Sequence, residues 1–357
     1  MSLERWGRIT MGAVVVAAGV FILYRLRLVL VTVALAAMLA YALLPLVEWT
    51  ARLRVGPRPV PRLVAVVVVF LVVGLGITEL VRIAAGPVGA EAHRFAQNLH
   101  QYRDQVGTLL TRVRTSVARE LPPPLRQPLD RAMNQAEVVL VSALTGALQA
   151  TAKWLSHVVE VVLIPILAFY FLVDLPVLRE ELLGFLPPGV RQPVLVLARR
   201  ADGILAGYVR AQLILMMVSG VVVGVGLAVI GMRFPLLLGI VAGLTRAIPI
   251  IGPVLGAIPI VGLAALQSSE VAVAVLVFFV ILQLAESKII LPKIIGHELR
   301  LHAVTILLAL LIGNALFGLM GMFLAPPAAA FVKALREVQE EALLFPEAVG
   351  ARRAGDR

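Results

Sequence analysis

Nearly uncharged apolar stretches recur from one end of this chain to the other: Ile9–Tyr24, Leu28–Val47, Leu63–Thr78, Trp154–Val173, Ala211–Met232, Phe234–Gln267, Val271–Ala285 and Ala303–Val332. A helix crossing the hydrocarbon of a bilayer needs roughly 20 apolar residues at about 1.5 Å rise each. The pattern predicts an all-α, polytopic integral membrane protein of about eight segments, at 9–25, 28–48, 62–85, 152–173, 204–232, 234–267, 270–290 and 303–333. The short first and seventh stretches reach full length only with flanking turns. Arg25-Leu26-Arg27 joins the first two with no small-residue cleavage site between them, which reads as a retained pair of spans rather than a signal peptide.

Residues 86–150 are the one long polar region. Phe95, Leu99, Tyr102, Val106, Leu109, Val113 and Val117 recur every three or four positions, the spacing of one face of an amphipathic helix. Leu121-Pro122-Pro123-Pro124 stops that helix, and Leu129, Met133, Ala136, Leu140 and Leu144 mark a second. The expectation is an extracytoplasmic or interfacial helical hairpin.

The apolar stretch 234–267 is too long for one straight span, and Arg246, Pro249, Gly252, Pro253, Gly256 and Pro259 interrupt it. Non-helical backbone at membrane depth is tolerated only where protein or water satisfies its polar groups. Two architectures fit: a re-entrant hairpin of two half-helices, or one crossing with a broken centre. Basic residues accumulate on the cytoplasmic side of membrane proteins. Arg5, Arg8 and the cluster Arg52, Arg54, Arg58 and Arg62 place the N-terminus there, and Lys333, Arg336, Arg352 and Arg353 place the C-terminal tail there too. An even number of crossings satisfies both, which favours the broken crossing.

Composition agrees with the pattern: 60% hydrophobic residues, 15% charged, and a mean hydropathy of +0.97. The formal charge of +11 is the signature of loops facing an anionic leaflet rather than of nucleic-acid binding. With no cysteine, the chain has no disulfide, thiolate chemistry or thiolate metal site. Nucleotide-binding, nucleophile-elbow and metalloprotease motifs are missing, so the reading is a non-enzyme without cofactor or metal.

Arg246 is the sharpest chemical signal. An arginine at bilayer depth costs roughly 2.5–3.5 kcal/mol on insertion scales, so it faces a bundle interior or a watery pathway, unless its segment lies shallow and the side chain snorkels. Glu286 and Lys288 end an uncharged run: Glu286 is either a counter-charge to Arg246, a proton carrier or cation ligand, or, with Lys288, an ordinary interface residue. Asp174 and Arg210 are further candidates for the pathway or its coupling. Pro249, Gly252, Pro253, Gly256 and Pro259 form the broken-helix motif, while Pro292, Gly296, Gly318 and Gly321 are hinge or packing positions. Gln212 and Gln283 are either polar path or interhelical glue. His297, Glu298 and His302 lack the facing geometry of a metal site.

Several segments, in order, resemble the autoinducer-2 exporter (AI-2E) family of PerM-type permeases: Ile164-Pro165-Ile166-Leu167-Ala168-Phe169-Tyr170-Phe171-Leu172-Val173-Asp174; Ala247-Ile248-Pro249-Ile250-Ile251-Gly252-Pro253-Val254-Leu255-Gly256-Ala257-Ile258-Pro259; Glu286-Ser287-Lys288-Ile289-Ile290-Leu291-Pro292-Lys293-Ile294-Ile295-Gly296; and Leu316-Phe317-Gly318-Leu319-Met320-Gly321-Met322-Phe323-Leu324-Ala325-Pro326-Pro327. The resemblance implies a bacterial inner-membrane transporter, an exporter of the autoinducer-2 signal or a sodium/proton antiporter, assembled as a homo-oligomer. Where this chain has Arg246, the family has an asparagine or an apolar residue ahead of the Ile-Pro of the central motif. Where it has Ala303, the family has proline.

Together these observations predict transmembrane helices over 1–85, the helical insert over 86–150, a transmembrane core over 151–335 with the broken segment at 234–267, and a cytoplasmic tail over 336–357. The expected partners are membrane lipid, a small polar solute or a monovalent cation and proton, and further copies of the chain. The expected function is secondary transport or export of small polar organic solutes by alternating access. The alternatives are cation/proton antiport and a non-transporting membrane scaffold.

Overall fold

The computed structural model describes residues 25–55, 58–120, 122–156, 158–290 and 302–344. The helices among them are α1 (Arg27–Arg52), α2 (Arg62–Gln97), α3 (Leu99–Glu120), α4 (Pro123–Ser156), α5 (Val158–Gly184), α6 (Pro188–Ile230), α7 (Pro235–Thr245), α8 (Ile251–Gln267), α9 (Ser269–Ala285), a π-helical turn at Glu286–Ile290, and α10 (Ala303–Leu344). A two-residue ladder, Arg54–Val55 with Arg58–Pro59, links α1 to α2. Among the described residues, five of these helices are long and apolar enough by length and composition to cross a membrane, the two arms of α10 being counted as one, and a sixth span arises if α5, bent by 78° between Leu175 and Val177, counts as one. The bend falls at Pro176, which withholds a backbone donor. The chain is thus a polytopic all-α membrane protein. Residues 9–24 of the expected first span, together with Pro292, Gly296, His297, Glu298 and the tail arginines Arg352 and Arg353, lie outside the described residues.

The chain forms two compact units. The first comprises 1–70, 159–209 and 298–357. In it Met38, Tyr208 and Val209 make a buried cluster against Tyr41, Ala42, Phe323 and Leu324. The Tyr208 hydroxyl donates to the Phe323 carbonyl at 2.8 Å, Tyr41 donates to Asp202, and Arg62 donates to the Leu172 carbonyl at 2.6 Å. Helix α10 is not the single crossing expected at 303–333. It breaks at Gly318, whose φ of 61° and ψ of −143° are open to glycine and hostile to other residues. Beyond the break the chain returns on itself, so that Gly313 lies directly against Gly321 and Ala325. In a straight helix residues eight apart would be about 12 Å from each other.

The second unit comprises 71–158 and 210–297. Its centre is the segment 234–267, and here the preference for a broken crossing is corrected. Helices α7 and α8 fold back as a re-entrant hairpin. At its base the Gln267 side chain ties both ends together, accepting from the Arg233 amide at 3.1 Å and donating to the Gly231 carbonyl at 2.8 Å. At its tip Gly252 and Gly256 of α8 pack against Thr245, the last residue of α7. An ideal Cβ on Gly256 would stand 2.5 Å from the Thr245 hydroxyl.

The polar insert is no free-standing module. Helix α2 runs past the expected end at 85 to Gln97, and α3 and α4 pair as a hairpin with Arg114 bonded to Asp130 at 2.7 Å. Phe95, Tyr102 and Val106 then bury against the α7/α8 hairpin, in one core with Leu238, Ile260, Leu263 and Ala264. Gly262 on α8 leaves room for Leu140 of α4. The same helical face changes character toward the far end of the insert, where Val113 and Val117 are exposed.

Candidate functional site: a buried ion pair at the hairpin tip

The tip of the hairpin is built from short, irregular turns. After α7, Ala247 and Ile248 donate to Leu244 and Thr245 in i→i+3 bonds. The Ile251 amide then donates to the Pro249 carbonyl at 2.7 Å, with Ile250 at φ 66° and ψ −54°. That is a γ-turn of the rare strained kind, centred on a β-branched residue. Strain of about 1–3 kcal/mol persists only where the surroundings over-determine it. Pro249 shapes this turn, and Gly252 permits the return. Pro253 occupies the first turn of α8, where its missing amide costs nothing. Gly256 and Pro259 lie within α8 rather than at the break.

Arg246 stands at this tip, 8% exposed, and its guanidinium pairs with Glu286, 3% exposed, at the end of α9. Its Nε donates to the Ser219 hydroxyl at 2.9 Å, and Ser219 in turn bonds to Glu286. The Arg246 carbonyl accepts from the Gln212 amide, so the backbone is anchored as well as the side chain. Gln212 and Ser219 are seven residues apart on α6, two turns along one face. Farther along α6, Gly220 and Gly224 let α7 approach: an ideal Cβ on Gly239 would stand 2.8 Å from the Gly220 carbonyl and from the Gly224 Cα. Glycine packing on α6 therefore brings Arg246 to Ser219. Glu286 begins the π-helical turn, a rare element concentrated at functional sites.

Helix α7 has 11 residues. It is therefore about 16 Å long, close to half of the ~30 Å hydrocarbon layer. A lone arginine there would be expensive. The pair with Glu286 cancels the charge, and among the described residues no buried side-chain polar atom lacks a partner. Chemically, the cluster is a closed lock rather than an open receptor. With Glu286 against Arg246, neither side chain presents an uncompensated charge to a ligand.

Of the other residues singled out in the sequence, Lys288 and Arg210 are exposed and Asp174 is half-buried in the first unit. Neither Lys288 nor Arg210 joins the cluster. Ser219 was not singled out, because a serine in an apolar helix carries no periodic or charge signal. Its place two turns from Gln212 on the same helix is the one clue the chain offers. No group of three metal-ligating side chains occurs among the described residues.

This architecture has relatives. The Bacillus subtilis (strain 168) protein YrrI is 29% identical over 297 residues, covering 83% of this chain and 82% of that protein. A sodium-lithium/proton antiporter of Halobacillus andaensis is 25% identical over 340 residues, covering 91% and 93%. The AI-2 transport protein TqsA of Escherichia coli (strain K12) is 27% identical over 315 residues, covering 85% and 84%. Residues 12–340, nearly the whole chain, match the description "AI-2E family transporter", and the chain belongs to that family.

Proposed function

We propose that this protein is a secondary transporter of the bacterial inner membrane that carries a small polar organic solute by alternating access, with the Arg246–Glu286 pair as its central charge lock. The observation that carries the reading is a fully partnered, buried ion pair at the tip of a re-entrant hairpin. Ionisable residues inside the membrane mark substrate or ion pathways, and half-helices are the usual way of exposing a site at mid-depth. In this reading the solute opens the lock by replacing one partner's hydrogen bonds. Arg246 selects for charge, and Glu286 holds it in the empty state. The chain assembles as a homo-oligomer with both termini in the cytoplasm.

A second reading, cation/proton antiport, has its own support. Arg246 follows the C-terminal end of α7. Helix C-termini carry partial negative charge and favour cations. In this reading Arg246 is a tethered cation that yields Glu286 to a proton or a metal ion in turn. The relative from Halobacillus andaensis bears the name of such an activity.

One experiment separates the two. Purified protein in proteoliposomes is placed under imposed sodium, lithium, potassium and pH gradients, and proton flux is followed alongside Arg246→Ala and Glu286→Gln. Cation-dependent flux that is lost in Glu286→Gln selects antiport. Silence under every gradient from folded protein eliminates antiport under those conditions and leaves organic solute transport to be tested with labelled solutes in the same vesicles.

A further inference from the structure

The site at the hairpin tip depends on how the hairpin is held at its base, and one residue of the insert stands out there. The chain entering α7, Gly231-Met232-Arg233-Phe234-Pro235, contains no Ser, Thr, Asp or Asn to serve as an N-cap. Phe234 is left-handed, at φ 58° and ψ 46°, and its side chain makes no cap bond. Pro235 has no amide, and the Leu238 amide already donates to the Phe234 carbonyl at 3.0 Å. Of the remaining first-turn amides, that of Leu237 donates to the Glu91 carboxylate at 2.8 Å, across 146 positions of sequence. One turn farther along α2, Phe95 meets the Phe234 ring edge-on with centroids 5.7 Å apart.

We infer that Glu91 is a positioning residue, a helix cap supplied in trans that fixes the base of the α7/α8 hairpin so that Arg246 at its tip meets Glu286. The carboxylate complements the positive end of the α7 dipole. It is the polar part of a contact whose apolar part is Phe95, Tyr102 and Phe234. The insert is thereby coupled to the central site through α7.

The test uses full-length protein in nanodiscs, with hydrogen exchange of the amides at 236–238 read by mass spectrometry for Glu91→Ala, Glu91→Gln and, as a control on the same helix, Glu79→Ala. Glu79 is exposed and pairs with Arg82. Loss of a cap raises exchange of the first turn roughly fivefold, and that is the expectation for Glu91→Ala. Glu91→Gln keeps an acceptor oxygen and restores most of the protection, and Glu79→Ala changes nothing. In the Glu91→Ala background the penalty of Glu286→Gln on unfolding is also smaller than in the parent, because coupled sites are non-additive. Unchanged exchange in Glu91→Ala, an equal rise in Glu79→Ala, or strict additivity with Glu286→Gln overturns the inference. Neither readout involves transport, so a failed flux assay would leave it standing.

Discussion

The Arg246–Glu286 pair makes a prediction whose sign depends on what replaces it. Both side chains are almost wholly buried, at 9% and 4% exposure, and Ser219 bridges them. Truncating one partner leaves an uncompensated charge in a low-dielectric setting, at a cost of about 3–5 kcal/mol. Replacing both with uncharged residues of similar volume is close to neutral, or even stabilising, because two desolvation penalties vanish together. Arg246→Met and Glu286→Gln are therefore each expected to destabilise strongly, while the double variant recovers most of the loss. The measurement is a double-mutant cycle on reversible unfolding in mixed detergent micelles, followed by circular dichroism. Contacting residues show coupling of roughly 0.5–3 kcal/mol, and a buried ion pair belongs at or above the upper end of that range. Transport flux of the double variant should stay absent even though its stability returns, since a lock without charge selects nothing. Additivity within about 0.5 kcal/mol would refute the reasoning, because it would mean that the two side chains do not share a desolvated environment.

Three further expectations follow from the packing. Gly239→Ala drives a Cβ against the backbone of Gly220 and Gly224 and should cost about 1–3 kcal/mol, whereas Gly74→Ala, with nothing within 4 Å, should be neutral or slightly stabilising; thermal melting of both variants checks this. Gly318→Ala forces a Cβ into a backbone region that is open essentially to glycine alone and should cost roughly 1–3 kcal/mol, with Gly318→Asn no milder, since asparagine tolerates the left-handed helical region and not this one, as read by the same melts. Tyr102→Ala should loosen the insert from the hairpin at a cost of about 3–5 kcal/mol and expose it to limited proteolysis. Val113→Ala, on the exposed continuation of the same face, should stay within about 0.5 kcal/mol.

Much of this architecture was legible in the chain. Lack of charge over runs of bilayer length announces lipid as solvent, and the proline pair at 187–188 marks the break before α6. Arg246 and Glu286 stand out because ionisable groups are rare in such runs. The preference for a crossing at 234–267 failed for an instructive reason. It came from counting crossings between two basic ends, and the count assumed that 303–333 crosses once. Gly318 supplies a second fold-back, and two fold-backs leave the parity of the ends unchanged. Charge at the termini therefore says nothing about either hairpin separately. The apolar face read from Phe95 to Val117 misled in a smaller way: it crosses the break between α2 and α3 at Asn98, and while Phe95, Tyr102 and Val106 are buried, Val113 and Val117 are exposed.

Membrane residence, helical class and the identity of the two rare charges are properties of composition and local order, carried by single residues and short runs. That Arg246 and Glu286 are each other's partners is not local: they lie 40 positions apart, and one charge in an apolar run looks the same whether it is paired, hydrated or snorkelling. The distinction depends on side chains that approach from other helices, Ser219 and Gln212 on α6, and on glycines whose significance lies in the backbone they admit. Close helix approach in lipid comes from van der Waals fit and satisfied hydrogen bonds rather than from hydrophobic segregation. Apolar patterning is therefore blind to which faces meet, and only the folded chain brings those faces together.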